Sequence, residues 1–252
     1  MKIGIIQGRL SPPTEGFQEC PTDWKREFEL LGQLGLNHIE WIVTADSFAH
    51  NPVLYSNVKE FSDRISSICA DNLVDEKFYM QGFLNYNLVP LCKAAEKNEI
   101  SNITIPLLED SSVIDDYKRT QFLKNILRIS DDFPDLNFYF EAELHWDKLL
   151  EIVNSSDRFF ITYDTGNLTS CGFDHGEYIA NTIDKIKNVH LKDRTFDART
   201  VEPTTGDTDF KLILDKLSSL GYNGIYTLQT ARGEEGYEQE TISKHKQIFE
   251  RF

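Results

Sequence analysis

Cysteine is scarce in this chain and scattered where it occurs. The four residues Cys20, Cys69, Cys92 and Cys171 form no C-x-x-C pair, which argues against a disulfide scaffold or a structural zinc knot and suits a reducing compartment. Cys69 and Cys92 stand in apolar surroundings and read as core fillers. Long apolar runs are also missing. The opening run Ile3 to Ile6 is cut at once by Gln7, Gly8 and Arg9, too short for a secretory leader or a membrane span. It reads as a first strand, and the cytoplasm is the expected location. Positive charge is in deficit: 26 Lys and Arg face 41 Asp and Glu, a net charge of −15. Such a balance argues against a nucleic-acid backbone or an anionic membrane as partner. It still permits a phosphorylated substrate, because a few converging cations make a local positive pocket. No low-complexity tract, linker or break in composition divides the sequence.

What is present is alternation. Short apolar or β-branched runs, the pattern of buried strands, occur at Lys2–Ile6, Asn37–Val43, Ile65–Ala70, Asn102–Leu107, Asn137–Glu141, Arg158–Tyr163, Asn188–Leu191 and Gly224–Leu228. Amphipathic segments lie between them at Asp23–Leu34, Ser56–Arg64, Asn87–Asn98, Asp116–Ser130, Trp146–Val153, Gly176–Ile186, Phe210–Leu220 and Glu238–Phe249. Gly35 and Gly221 supply stop signals after two of them. A strand recurs about every 30 residues, close to one βα unit. Eight such units in 252 residues with no internal break predict the α/β class and a single (β/α)8 barrel spanning residues 1–252. The longest irregular loops, Gly8–Thr22, Thr44–Tyr55 and Arg194–Asp209, each follow a strand and would rise over one face.

That face is where the chemistry is expected, since α/β barrels place it at the C-terminal ends of their strands. The last four units end in Glu141, Asp164, His190 and Gln229. Neighbouring staves can aim these side chains at one ion, and two carboxylates, an imidazole and an amide oxygen suit Mn²⁺ or Mg²⁺ best, with Zn²⁺ or Co²⁺ as further choices. Each residue also has a plainer reading. Asp164 before Thr165-Gly166-Asn167 is placed to cap a helix, and a lone histidine is more often a satisfied polar group than a ligand. Glu141 beside Phe140 is harder to explain without a partner, because an unpaired buried carboxylate is costly. Around the mouth, Arg9, Lys192, Arg194 and Arg232 are candidates to grip a substrate, and Gly206 could let backbone amides approach an anion. Trp41 could stack on the apolar face of a sugar or fill the barrel mouth. His38 lies near the start of its strand, away from this face, and His175 follows the sixth strand in a loop that lines it.

Glu141 in Phe-Glu-Ala-Glu, Asp164 in Tyr-Asp-Thr-Gly-Asn and His190 in Asn-Val-His-Leu-Lys-Asp resemble the metal-binding motifs of the xylose-isomerase-like TIM-barrel superfamily of sugar phosphate isomerases and epimerases. The opening Gln-Gly-Arg-Leu-Ser-Pro, Ile39-Glu40-Trp41, the segment Ser67 to Asp71 and the closing Leu-Gln-Thr-Ala-Arg resemble members of the same group, so the likeness spans essentially the whole chain. The resemblance implies a divalent cation and a small carbohydrate or sugar-phosphate substrate, isomerised or epimerised through an enediolate. One position departs from it. The family usually ends its eighth strand in a glutamate that ligates the metal and moves a proton, and Gln229 stands there. An amide oxygen still binds a cation but shuttles no proton. Glu141 is then the first candidate base, with His145, Glu109 and Lys192 behind it. Glu109 is also a candidate substrate contact. A dehydratase of a keto-polyol and a non-catalytic sugar-binding barrel are the alternatives, and a homo-oligomer is compatible with either. A three-zinc nuclease of the superfamily would need more His and Glu at strand ends and a basic surface.

Overall fold

Every predicted strand forms, and each does so where β-branched and aromatic residues favour the pleated backbone. In the computed structural model, which describes residues 1–13 and 20–252, the strands are β1 (Lys2–Ile6), β2 (Ile39–Ile42), β3 (Ile65–Cys69), β4 (Asn102–Leu107), β5 (Asn137–Ala142), β6 (Phe159–Asp164), β7 (Ile186–Leu191) and β8 (Ile225–Leu228). All pair in parallel with their sequence neighbours, and β1 pairs with both β2 and β8, closing a (β/α)8 TIM barrel. Helices such as Trp24–Gln33, Asp116–Asp132 and Phe210–Ser219 cover the outside and bury their apolar faces against it. The middle of the predicted loop Gly8–Thr22, residues 14–19, lies outside the described residues.

Several helix expectations are corrected. Ser56–Arg64 is not one helix: Asn51 caps a short turn Pro52–Tyr55, Ser56 is fully extended, and a 3-10 segment follows at Lys59–Arg64. Asn87–Asn98 forms as Val89–Lys97, and a further helix, Gln81–Asn87, precedes it, with Pro90 near the start of the second. Proline has no N–H to continue the first helix and clashes with its carbonyls, so the break is local chemistry. The helix expected to run to Ile186 ends at Thr182, because Ile186 already belongs to β7. The Arg194–Asp209 loop holds a small antiparallel ribbon in which Asp193 pairs with Val201 and Arg194 with Thr200. The helix that Asp164 is placed to cap forms at Thr165–Ser170, directly after β6.

The barrel interior is unusually polar. Side chains alternate along each strand, and the inward set includes Glu40, Ser67, Thr104, Asn188, His190 and Thr227, all at most 1% exposed. Apolar residues, among them Trp41, Phe28 and Phe138, fill the layer between strands and helices. At the lower end the fit is close. A β-carbon on Gly4 would stand 2.3 Å from the His38 ring, well inside van der Waals contact. Gly4→Ala is therefore expected to destabilise the fold by about 1–3 kcal/mol through overpacking, read as a lowered midpoint in urea unfolding. An unchanged midpoint would mean that His38 is free to move.

Candidate metal centre

The strand ends converge through register. Asp164 and His190 are direct partners across β6 and β7, and Thr227 of β8 is level with His190. Side chains at one level and of one parity share a face of the sheet, so Asn188, His190 and Lys192, each two residues apart, all turn inward. One ligand-grade atom from each of Glu141, Asp164 and His190 lies within 4.8 Å of the others, and all three residues are buried. His190 Nδ1 faces both carboxylates, 3.3 Å from Glu141 and 3.8 Å from Asp164. These are ion-pair separations and not well-formed hydrogen bonds. His190 Nδ1, Asp164 Oδ2 and the Gln229 amide oxygen are all buried and make no hydrogen bond.

The segment after β6 explains why this short text recurs as a unit. Asp164 Oδ1 accepts from the Asn167 N–H at 2.7 Å, so the N-cap reading is correct, and Oδ2 remains turned toward His190 and Lys192. One carboxylate does both jobs. Thr165 Oγ1 donates to the Lys192 carbonyl and accepts from the Lys192 N–H, stapling the end of β6 to β7. Gly166 leaves room for the Lys192 stem, which a β-carbon would approach to 2.9 Å. Asn167 gives its side-chain N–H to Glu141 at 2.7 Å and takes one from Lys192 at 3.3 Å. Asn167 thus orients a carboxylate, a cap and an ammonium at once, a role hidden in the sequence because its partners are 25 and 26 residues away.

Beneath the cluster lies a third carboxylate, one that its sequence context alone does not single out as part of the site. Glu40 is fully buried, and its Oε2 accepts from His190 Nε2 at 2.6 Å and from Asn188 Nδ2 at 3.1 Å. Ser67 donates to its other oxygen at 2.9 Å. Burial opposes its charge, but His190 and the hydroxyls of Thr104 and Ser67 outweigh that and hold the carboxyl down at about 2. Glu40 thereby fixes the ring so that Nδ1 is presented to the other carboxylates. Burial likewise works against a charged imidazole at His190, yet Glu40, Glu141 and Asp164 together hold it well above the ordinary histidine range. Asp164 is kept well below the carboxylate range, against its burial, by Lys192 and His190. The polar chain continues downward through Asn188 and Thr227 to His38. Burial depresses His38 to about 4, so it is neutral there.

Charge is the test of fit for an ion. A metal on Nδ1 requires a neutral His190, and in that state the buried carboxylates of Glu40, Glu141 and Asp164 would be opposed by the ammonium of Lys192. The surplus is two negative charges, which one divalent cation cancels. Buried charges persist only when paired or metal-bound, so the donor set and its charge both fit such an ion.

The other sequence candidates are placed as follows. Lys192 is buried and 3.1 Å from Asp164 Oδ2, so it belongs to the cluster. Arg194 faces Glu143 at 3.7 Å. Arg232 donates to the carbonyls of Gly8 and Ser11, bracing the loop after β1. Arg9 and Arg232 line a cavity of about 50 Å³ whose lining contains none of the clustered ligands. Glu109 is exposed, in the left-handed region at φ 52°, and acts electrostatically on Asp71 and Glu143. Trp41 is a correction. It is fully buried outside the lumen, packs on Trp24 and Phe28, and donates to Asn51 at 2.9 Å. Because Glu40 points inward, its neighbour must point out, and no sugar reaches that ring. The Gly206 amide is already taken by Asp193 at 2.9 Å and does not await an anion. His145 is exposed and tied to Asp147, and His175 is held between Tyr163 and Thr169.

A closed parallel barrel with a carboxylate–imidazole cluster at its C-terminal mouth is thus the class that fold and site define. Residues 134–247 match the family model described as xylose isomerase-like TIM barrel, which bears out the resemblance of the motifs within that stretch. No curated protein matches the sequence. Among solved structures, D-psicose 3-epimerase with D-tagatose from Clostridium cellulolyticum H10 superimposes with a TM-score of 0.72 at 12% identity, covering 100% of this chain and 99% of that one. The probable 3-DHS dehydratase AsbF from Bacillus anthracis gives 0.71 at 12% identity, covering 99% of each chain. The IOLI protein, solved with a zinc atom, gives 0.72 at 15%, covering 100% of this chain and 96% of its own. At these identities the likeness establishes the fold.

Proposed function

We propose that the protein is a divalent-metal-dependent isomerase or epimerase of a small, unphosphorylated sugar. The observation that carries the reading is the buried Glu141–Asp164–His190 cluster at the barrel's C-terminal mouth. A divalent cation held by Glu141, Asp164, His190 and the Gln229 amide oxygen would supply Lewis acidity toward adjacent oxygens of the substrate. The oxygen-rich donor set favours Mn²⁺ or Mg²⁺. Glu141, steadied by Asn167 on one oxygen, is the base that removes the proton next to the carbonyl. Lys192 is engaged by Asp164, Arg194 faces Glu143, and Arg232 holds two backbone carbonyls. Cations so engaged favour a neutral sugar over its phosphate. Dehydration of a keto-polyol is the second reading, favoured by Gln229, which cannot return a proton in the manner of a glutamate.

The test combines metal analysis with proton exchange. Purified protein is expected to hold about one divalent ion per chain, the ratio a single tetradentate site implies, and a chelator should remove it. With Mn²⁺ restored, NMR in D₂O of a panel of ketoses should show deuterium entering the carbon beside the carbonyl of at least one sugar. A metal-loaded protein that exchanges no proton in any of them would leave only a binding protein, and a new α-keto chromophore would favour the lyase.

A further inference from the structure

Resting on the isomerase or epimerase reading, we infer that Asp71 is the second proton-handling group of the site, standing in for the glutamate that Gln229 replaces. Its position is built by the backbone. β3 ends at Cys69, the Ala70 N–H donates to the Thr104 carbonyl of β4, and the Asn72 N–H donates to the Val43 carbonyl beyond β2, each at 2.8 Å. The turn Asp71–Leu73 is therefore sewn to both neighbouring strands at the mouth. Cys69 pairs with Thr104, and Pro106 pairs with Glu141. Asp71 follows β3 by two residues at the C-terminal mouth, within electrostatic reach of Glu141, Glu109 and Lys192.

Its chemistry matches that place. The Asp71 carboxyl is half-buried and makes no hydrogen bond or ion pair with a described residue. Burial, reinforced by Glu141 and Glu109 and opposed by Lys192, raises it to about 6, near the value that suits an acid–base catalyst at neutral pH. The other ionisable groups of the mouth are engaged. Lys192 serves Asp164, Glu143 faces Arg194, His145 is tied to Asp147, and His175 is held by Tyr163 and Thr169. Glu109 is exposed to solvent.

The step balances without a further reactant. Glu141 takes the carbon-bound proton, the C–H pair becomes the carbon–carbon double bond, and the carbonyl oxygen takes the negative charge. Asp71, protonated, gives its proton to that carbon from its own side. The double-bond pair makes the new C–H bond and the carbonyl re-forms. Glu141 ends protonated and Asp71 ionised, and exchange with water restores both.

The test uses the full chain loaded with Mn²⁺ and, as probes, D-psicose, D-tagatose and D-fructose in D₂O. Asp71→Asn is expected to keep the wild-type metal content and to go on placing deuterium in the starting sugar through Glu141. Product formation should fall about 100-fold or more, and Asp71→Glu should restore part of it. A D71N protein that forms product at the wild-type rate, or that loses its metal, overturns the assignment to Asp71 while the isomerase reading stands. Wild-type protein that exchanges nothing with any probe overturns both.

Discussion

Replacing His190 by alanine is expected to strip the chain of tightly bound divalent metal and to cost the fold about 3–5 kcal/mol, the usual result of breaking a buried pair from one side. Both effects come from one ring. Nδ1 faces Glu141 and Asp164, and Nε2 gives Glu40 its shortest hydrogen bond, at 2.6 Å. Without it, Glu40 keeps neutral donors such as Asn188, Ser67 and Thr104 in a position with no exposure to water. Elemental analysis reads the metal and urea unfolding the stability. A His190→Ala protein that still carries a full equivalent of metal would show that the cluster is not the binding site. The pair has a pH window whose sign is fixed. Glu40 is depressed to about 2, so its contribution is present above the ordinary carboxylate range and is lost as pH falls toward that value. His190 is raised, so in the metal-free protein its contribution holds at neutral pH and is lost as pH rises through the raised value.

Glu40→Gln should give the second large effect: metal affinity lowered about 10- to 100-fold, as for other partners that orient a ligating histidine. Glutamine keeps the volume of the side chain and an acceptor for His190 Nε2 but removes the charge. With its oxygen kept toward His190 and Asn188, it also brings an N–H₂ group toward Ser67 Oγ, which now donates to the carboxylate. Competition against a fluorescent chelator measures the change. Equal affinity in the variant and the wild type would mean that Glu40 is a structural acid of the lumen with no hold on the metal ligand. Metal content at saturating metal should survive in this variant, which separates an orienting role from a ligand's.

Much of this was legible before any coordinates. Each of the eight strands announces itself by a run of β-branched and aromatic residues, and Glu141, Asp164 and His190 stand where such runs end. Local chemistry also forecast the Asp164 cap, since a short acceptor before a turn of Thr, Gly and Asn is an N-cap pattern. The segment Ser56–Arg64 is not an α-helix because Ser56 is extended and the turn that follows is 3-10, and the short helix Gln81–Asn87 before Pro90 carries too few apolar residues to stand out by period. Trp41 and Glu40 illustrate a different limit. Period two says that adjacent residues face opposite ways, but the sequence of a strand covered on both sides does not say which way is in. An aromatic at the barrel mouth and a carboxylate outside would satisfy the same alternation.

By itself, then, the order of residues determined the alternation of elements, the parallel barrel and the ends of staves that bear ligands, because these depend on periodicity and on neighbours in the chain. Only the closed tertiary structure decided that Glu40 lies under His190, 150 residues away, that Asn167 joins Glu141 to Lys192, and that Asp71 comes within electrostatic reach of Glu141. Those relations arise from barrel closure and strand register, which bring side chains into the low-dielectric lumen where a charge must find its partner.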